Sequence, residues 1–307
     1  MLKFGMTLMG LSIALAGPAL GIDVVASVKP VYSLVAGVME GTSDTPTLVV
    51  EGANSPHGFT MRPSDVDAVS KADVIFWIGD SYEIFLDRII PTVAPQAASV
   101  ALIESPGIEP LPFREGGLFE NHAEDEDVAE PGDLHEEEGS DPHVWLDPDM
   151  AADMVTRIAE ELSILEPGNA PIYQANAQAL VTRLSGMKSD IKERLQDVSG
   201  GFFVFHDAYH YYERAFGIEA TGAFTINPTV APGVQRLDEI RQTIDAAEAT
   251  CVFTEPQFSP SVLEALARDT GAKIGVLDPL GADIADGPEL YFELMDQLTV
   301  AFEQCLS

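Results

Sequence analysis

The sequence predicts an α/β protein with two similar lobes, each built on a parallel sheet and joined by one long linker helix. Short apolar runs alternate with helical periods in both halves of the 307-residue chain, a pattern typical of βαβ units and parallel sheets. Between the halves, apolar residues recur at helical spacing over Asn169–Val198. At 1.5 Å per residue this helix is as long as a whole lobe.

Strands and helices are expected to alternate in the first half from residue 23 to residue 103. The predicted strands are Asp23–Val28, Thr47–Val50, Val74–Ile78 and Ala98–Ile103. The predicted helices are Val31–Met39, Arg62–Ala72 and Tyr82–Ile90. Pro63 and Asp65 are typical of a first helical turn, and Pro91 is expected to end the third helix.

The second half repeats this alternation after the double glycine at 200–201, which is expected to end the long helix. The predicted strands are Phe202–Phe205, Cys251–Thr254 and Lys273–Leu277. The predicted helices are Ala208–Phe216, Gly233–Ala247, Pro260–Asp269 and Pro288–Cys305. We therefore expect an N-terminal lobe over 22–168, a linker helix over 169–199 and a C-terminal lobe over 200–307.

Residues 1–21 are typical of a secretory signal peptide. Lys3 precedes the apolar run Phe4–Ala16, and small residues at 19 and 21 suit a cleavage site. The apolar run is too short for a transmembrane helix of about 20 residues. We expect cleavage near residue 21 and an exported, soluble protein that does not insert into the membrane.

The chain is strongly acidic, with 50 Asp and Glu against 16 Lys and Arg and a formal charge of −34. This charge excludes a typical nucleic-acid-binding protein, which needs a basic surface.

Residues 115–141 contain twelve acids and no Lys or Arg, so we expect a mobile loop there. His122 and His135 in this loop offer a weak site for divalent metal, and a merely solvated loop is an equal alternative.

Two cysteines are present, Cys251 and Cys305. In an oxidising compartment such a pair tends to form a disulfide, which here would tie the last helix to a core strand. Two separate thiols are the alternative.

Three of the six histidines lie where a ligand is expected to bind. His57 is in a loop after a strand, His206 directly follows a strand, and His143 follows the acidic loop. Ligands of open α/β sheets bind at the carboxyl ends of strands, and imidazoles from separate loops suit Zn²⁺. His206 and His210 are four residues apart as in zinc proteases, but Asp207 stands where that motif needs its catalytic Glu.

Carboxylates end two further predicted strands. Glu255 and Asp278 each follow an apolar run, so either side chain is placed to reach a cleft at the strand ends. Capping or hydrogen-bonding a loop is the alternative, and for Glu255 we favour it.

The chain resembles the zinc-binding ZnuA-type subunits of bacterial ABC uptake systems, within the cluster A-I metal solute-binding proteins. The resemblance covers essentially the whole mature chain. It rests on the segments Ser27–Pro30, Pro56–His57, Arg62–Asp65, Asp141–Pro148, Phe205–Tyr209, Phe253–Gln257 and Leu277–Gly281. The long helix and the acidic loop with its histidines fit the zinc members as well.

The resemblance implies a metal site in the cleft between two lobes, with His57, His143 and His206 as ligands. It also fits a disulfide between Cys251 and Cys305. Zinc members often have Glu before the first His, where this chain has Pro56. The fourth ligand is then water or Asp278, which matches the carboxylate ligand of related members. His210 stands where relatives often have a small residue, which leaves it a surface or supporting role.

The function predicted from these observations is capture of Zn²⁺ in the periplasm and its delivery to the membrane permease of an ABC transporter. We expect a monomer that is not an enzyme and does not bind nucleic acid. Three imidazoles and one oxygen suit Zn²⁺ better than Mn²⁺. The alternatives are an exported zinc hydrolase, a manganese or iron importer of the same fold, and a metal buffer whose main site is the acidic loop.

Overall fold

The computed structural model describes residues 21–114, 139–225, 228, 234–246, 249–258 and 270–306. The predicted signal peptide up to residue 20 lies outside these residues. So do most of the acidic loop, with His122 and His135, and the helix predicted over Pro260–Asp269.

Two four-stranded parallel sheets form the frame of the molecule. The first has the order β2-β1-β3-β4, from β1 Val24–Ala26, β2 Thr47–Leu48, β3 Val74–Trp77 and β4 Ala98–Ala101. The second has the order β6-β5-β7-β8, from β5 Phe202–His206, β6 Gly222–Thr225, β7 Cys251–Thr254 and β8 Lys273–Val276. Both sheets therefore have the same topology, and the predicted fold class is confirmed.

Helices flank both sheets. They are α1 Lys29–Val38, α2 Pro63–Lys71, α3 Ile84–Val93, α4 Pro148–Leu165, α5 Ala170–Leu195, α6 His210–Phe216, α7 Val234–Ala246 and α8 Leu290–Leu306. Short 3-10 turns cover Pro56–Gly58, Leu102–Glu104 and Val144–Leu146.

The structure differs from the sequence prediction in three elements. Helix α3 does not end at Pro91 but continues to Val93. Pro91 removes one amide donor near the carboxyl end of the helix, and the Ala94 amide still bonds the Ile90 carbonyl at 3.0 Å. Helix α4 and strand β6 have no counterpart in the prediction. Every residue of strand β6 is buried. The strand therefore lacks the alternation of polar and apolar side chains that predicts a strand from sequence.

The long helix α5 packs against both halves of the molecule. It contacts α1 and α4 of the first half and α6 and α8 of the second. Its apolar side chains at helical spacing are buried, namely Tyr173, Ala177, Leu180, Leu184, Ile191 and Leu195. Within the described ranges, no helix has the length and apolar character needed to cross a membrane.

Buried hydrogen bonds join the two halves next to the strand ends. The Trp145 indole donates to the Pro279 carbonyl at 2.9 Å, and the Tyr291 hydroxyl donates to the Trp145 carbonyl at 2.6 Å. Lys29, which is 4% exposed, donates to the Ile284 carbonyl at 2.6 Å. Because unpaired buried polar groups are costly, these bonds fix how the strand ends of the two sheets face each other.

A disulfide joins Cys251, the first residue of β7, to Cys305 in α8. Their Cα atoms are 5.8 Å apart, within the usual range for a disulfide. The predicted pairing is confirmed.

Candidate metal centre

Three imidazoles meet where the carboxyl ends of the strands of one sheet face those of the other. His57, His143 and His206 each offer a ring nitrogen, and these atoms lie within 4.8 Å of one another. The Nε2 atoms of His143 and His206 are 3.3 Å apart. Tetrahedral ligands at a Zn–N distance of about 2.0–2.1 Å are about 3.3 Å apart, so this pair already has the spacing of two zinc ligands.

Each imidazole is placed by a different local structure. His57 lies in the 3-10 turn that follows β2, and the buried Pro56 fixes the start of that turn. His143 immediately precedes the 3-10 turn Val144–Leu146, whose three residues are fully buried. His206 is the last residue of β5. The expected position at the carboxyl end of a strand is therefore observed for His206.

Buried carboxylates orient two of the rings. Asp141 Oδ1 lies 2.7 Å from His143 Nδ1, and Glu255 Oε1 lies 2.7 Å from His206 Nδ1. A carboxylate accepts the proton on Nδ1, which leaves the lone pair of each imidazole on Nε2. Both Nε2 atoms therefore keep a lone pair that a metal can bind, and they lie 3.3 Å apart.

The third ring carries an unused nitrogen. His57 Nε2 is buried and has no hydrogen-bond partner in the described part of the chain. Aromatic rings surround the cluster: Tyr82 packs edge-on against His57, with ring centroids 5.0 Å apart, and Trp145 packs against His143 at 5.2 Å. A buried nitrogen without a partner, beside two lone pairs in an apolar setting, fits a bound metal ion.

Burial shifts the titration of this cluster. Desolvation lowers the pKa of His57 and of His143 well below 6.5, and the neighbouring His206 lowers both further. The two imidazoles are therefore neutral at pH 7, which is the form that binds metal.

Asp278 is engaged elsewhere in this structure. Its carboxylate accepts hydrogen bonds from the Gln257 side chain at 2.6 Å and from the backbone amides of residues 280, 281 and 282 at 3.0, 3.0 and 2.5 Å. It is not among the described side chains whose ligand atoms lie within 4.8 Å of one another. As a fourth ligand, Asp278 stays a prediction.

His210 lies outside the cluster. It begins α6, whereas His206 ends β5, so the two histidines do not share a helix face. The zinc-protease arrangement is therefore absent at this pair.

Two residues that matter most for ring orientation were not predicted in that role. Glu255, expected to bond a loop, is 3% exposed and holds His206. Asp141, which the sequence places only at the end of the acidic loop, holds His143. A signal was available for Glu255, since it follows the strand that neighbours β5 at the point where the strand order reverses.

A family profile described as "Zinc-uptake complex component A periplasmic", ZnuA, matches residues 24–305. The chain belongs to this family. It is 41% identical over 316 residues to the high-affinity zinc uptake system protein ZnuA of Brucella suis, covering 96% of this chain and 94% of that protein. The protein of the same name from Yersinia pestis is 36% identical, covering 92% and 91%. The resemblance inferred from the motifs is confirmed.

Two solved structures named ZnuA, and one of a differently named protein, share the fold. A crystal structure of ZnuA has 25% identity and a TM-score of 0.74, covering 92% of this chain and 97% of that one. A zinc-bound ZnuA deletion mutant has 26% identity and a TM-score of 0.75, covering 93% and 98%. The laminin-binding adhesin of Streptococcus agalactiae, at 24% identity and a TM-score of 0.76, covers 94% and 100% and shows the fold alone.

Proposed function

We propose that this protein captures Zn²⁺ in the periplasm and delivers it to the permease of an ABC uptake system. The observation that carries the proposal is the pair of Nε2 atoms of His143 and His206, 3.3 Å apart and each set by a buried carboxylate. The names of the relatives, high-affinity zinc uptake system proteins, support the same cargo.

Zinc is the cargo that the donor set favours. We assign His57, His143 and His206 as the three protein ligands, since neutral imidazole nitrogens suit Zn²⁺. Mn²⁺ prefers carboxylate, carbonyl and water oxygens, and the carboxylates nearest the cluster are turned to the Nδ1 atoms of two of these rings. This donor set supports a zinc importer over a manganese importer of the same fold.

Water is the fourth ligand that the structure supports best. A cavity large enough for a single water molecule borders His57 and His206, and Tyr82 and Gln257 contribute to its lining. Gln257 Oε1 is buried and has no hydrogen-bond partner among the residues described, so it is an acceptor for such a water. Asp278 would have to leave its four hydrogen bonds to replace that water.

Transport fits the surroundings of the imidazoles better than hydrolysis does. A zinc hydrolase needs a general base beside an open coordination position. The two candidates are Glu255 and Asp278; the first is bonded to His206 and the second to its own loop.

We assign the two lobes to 22–168 and 200–307, joined by the helix over 169–199, with the metal held between them. The acidic loop with His122 and His135 is assigned a weaker, collecting role.

The test is a chelator-competition titration of metal-free mature protein with Zn²⁺ and with Mn²⁺. The variants are the His57→Ala/His143→Ala/His206→Ala triple and, as a matched control, His210→Ala. One tight Zn²⁺ site that the triple variant loses and His210→Ala keeps is the expected result, with Mn²⁺ bound far more weakly. Tight binding by the triple variant would place the main site in the acidic loop instead. An Asp278→Asn variant with wild-type affinity is expected if water is the fourth ligand.

A further inference from the structure

One arginine near the metal centre bonds to two buried carboxylates at once. Arg114 donates from Nε to both oxygens of Asp207 at 3.1 and 3.0 Å, and its Nη2 atom makes a further close contact with Asp207. Its Nη1 and Nη2 atoms donate to Glu213 at 2.6 and 3.1 Å. The Arg114 side chain is 14% exposed, and each carboxylate side chain is 3% exposed.

Arg114 is the cation that neutralises these carboxylates. No other Lys or Arg within the described residues forms an ion pair with Asp207 or Glu213. Removing one partner of a buried ion pair leaves an uncompensated charge, which is strongly unfavourable. Without Arg114, Asp207 and Glu213 would have to move toward water.

The segment that carries Arg114 is braced against the segment that carries His143. Pro112 and Ser140 form an isolated antiparallel β-bridge, and the Asp141 amide donates to the Leu111 carbonyl at 2.8 Å. The Tyr211 hydroxyl accepts from the Leu111 amide at 2.8 Å and donates to the Asp141 carbonyl at 2.7 Å. The backbone that leads into Arg114 is therefore held against Asp141, which orients His143.

Arg114 is linked in the same way to His206, through Asp207. Asp207 directly follows His206, and its amide bonds the Thr225 carbonyl of the neighbouring strand at 3.2 Å. An ion pair that fixes Asp207 therefore also fixes the end of β5. Arg114 and His143 belong to the first half of the chain, whereas His206 and Asp207 belong to the second half.

We propose that Arg114 is a positioning residue that clamps the end of β5 to the first half of the molecule and so keeps His206 within coordination distance of His57 and His143. This inference rests on the proposed function. It predicts that Arg114 slows metal release, because His206 cannot leave the other two imidazoles while Asp207 is clamped.

The sign of the effect separates this role from simple electrostatics. Arg114 is a cation close to a cation site, so removing its charge should by Coulomb's law strengthen Zn²⁺ binding. A positioning role requires the opposite, since a displaced ligand weakens binding. Arg114→Lys keeps the charge but loses the planar guanidinium that serves two carboxylates, so positioning predicts a partial loss.

The experiment is stopped-flow chelator exchange of the zinc-loaded mature protein, with the absorption spectrum of the Co²⁺ form as a second readout of coordination geometry. Arg183→Met is the matched control for Arg114→Met, because the substitution removes the same positive charge. Arg183 pairs with Glu289 at the surface. We expect zinc release to accelerate at least tenfold in Arg114→Met, by a smaller factor in Arg114→Lys, and less than twofold in Arg183→Met.

Unchanged or slower release in both Arg114 variants, with an unchanged Co²⁺ spectrum, would overturn the inference and leave the proposed function standing. Failure of the wild-type protein to bind zinc would instead overturn the proposed function. Melting temperatures of the metal-free variants show whether the rates are measured on folded protein. If Arg114→Met does not fold, the comparison of Arg114→Lys with the wild type decides the matter.

Discussion

Glu255 Oε1 lies 2.7 Å from Nδ1 of His206, across the boundary between the two central strands of the second sheet. The bond fixes the ring and leaves Nε2 for a metal. Partners of this kind typically change metal affinity 10- to 100-fold. We expect Glu255→Ala to weaken zinc binding by about that factor, and Glu255→Gln to weaken it less because its amide oxygen still accepts from Nδ1. Chelator-competition titration measures both, and an affinity unchanged in Glu255→Ala would contradict the orienting role.

The pH dependence of zinc binding follows from the burial of the imidazoles. An ordinary histidine has a pKa of about 6.5, which would make proton competition important just below neutral pH. Burial lowers the pKa of His57 and of His143 well below that value, so both stay neutral as the pH falls through 6.5. We expect zinc affinity to change little between pH 7.5 and about 6.5 and to fall at lower pH. A steep loss already above pH 6.5, in a buffer that does not bind zinc, would contradict this.

Glu83 gives the stability of the first half a pH dependence of its own. Burial raises its pKa to about 7, although the Ser27 hydroxyl and the Ile78 and Gly79 amides donate to it. The folded state therefore holds a proton that the unfolded chain releases above its ordinary pKa of about 4.3. The stabilisation is present below about pH 4.3 and is lost as the pH rises through about 7.

Glu83→Gln mimics the protonated side chain and removes this pH dependence. We expect the difference in unfolding free energy between the variant and the wild type to rise by about 1–3 kcal/mol in favour of the variant from pH 4.5 to pH 8. Urea unfolding of the metal-free proteins at several pH values measures the difference. Glu193→Gln, on the exposed surface of α5, controls for the change of side chain. A constant difference between Glu83→Gln and the wild type at every pH would contradict the prediction.

The disulfide is expected to stabilise the second half without tuning the metal site. Cys251 and Cys305 are 54 residues apart in sequence, and removing a bridge typically costs about 2–5 kcal/mol. Cys251 begins β7, whereas Glu255 follows its far end. We expect Cys251→Ala/Cys305→Ala to unfold at lower urea concentration and to bind zinc within about twofold of the wild type. Loss of zinc affinity in a folded double variant would show that the bridge positions Glu255.

Several features of the molecule follow from local sequence and were predicted on that basis. Alternating apolar runs and helical periods indicated the two parallel sheets, because strand and helix periodicities are set by backbone geometry. The apolar repeat that begins near Asn169 indicated helix α5. The positions of His57 and His206 after predicted strands, and of His143 after the acidic loop, marked them as ligand candidates.

Other features depend on which segments meet in space. The bond of Glu255 to His206 joins a carboxylate and an imidazole 49 residues apart in sequence, and the pairing of β5 with β7 brings them together. The same holds for Arg114 and Asp207, which are 93 residues apart in sequence. The sequence by itself determined the kinds of side chain available for binding zinc. Tertiary packing decided that His206 leaves its Nε2 for a metal, because the buried carboxylate on its Nδ1 comes from a residue distant in the chain, whereas the carboxylate that orients His143 lies two residues away.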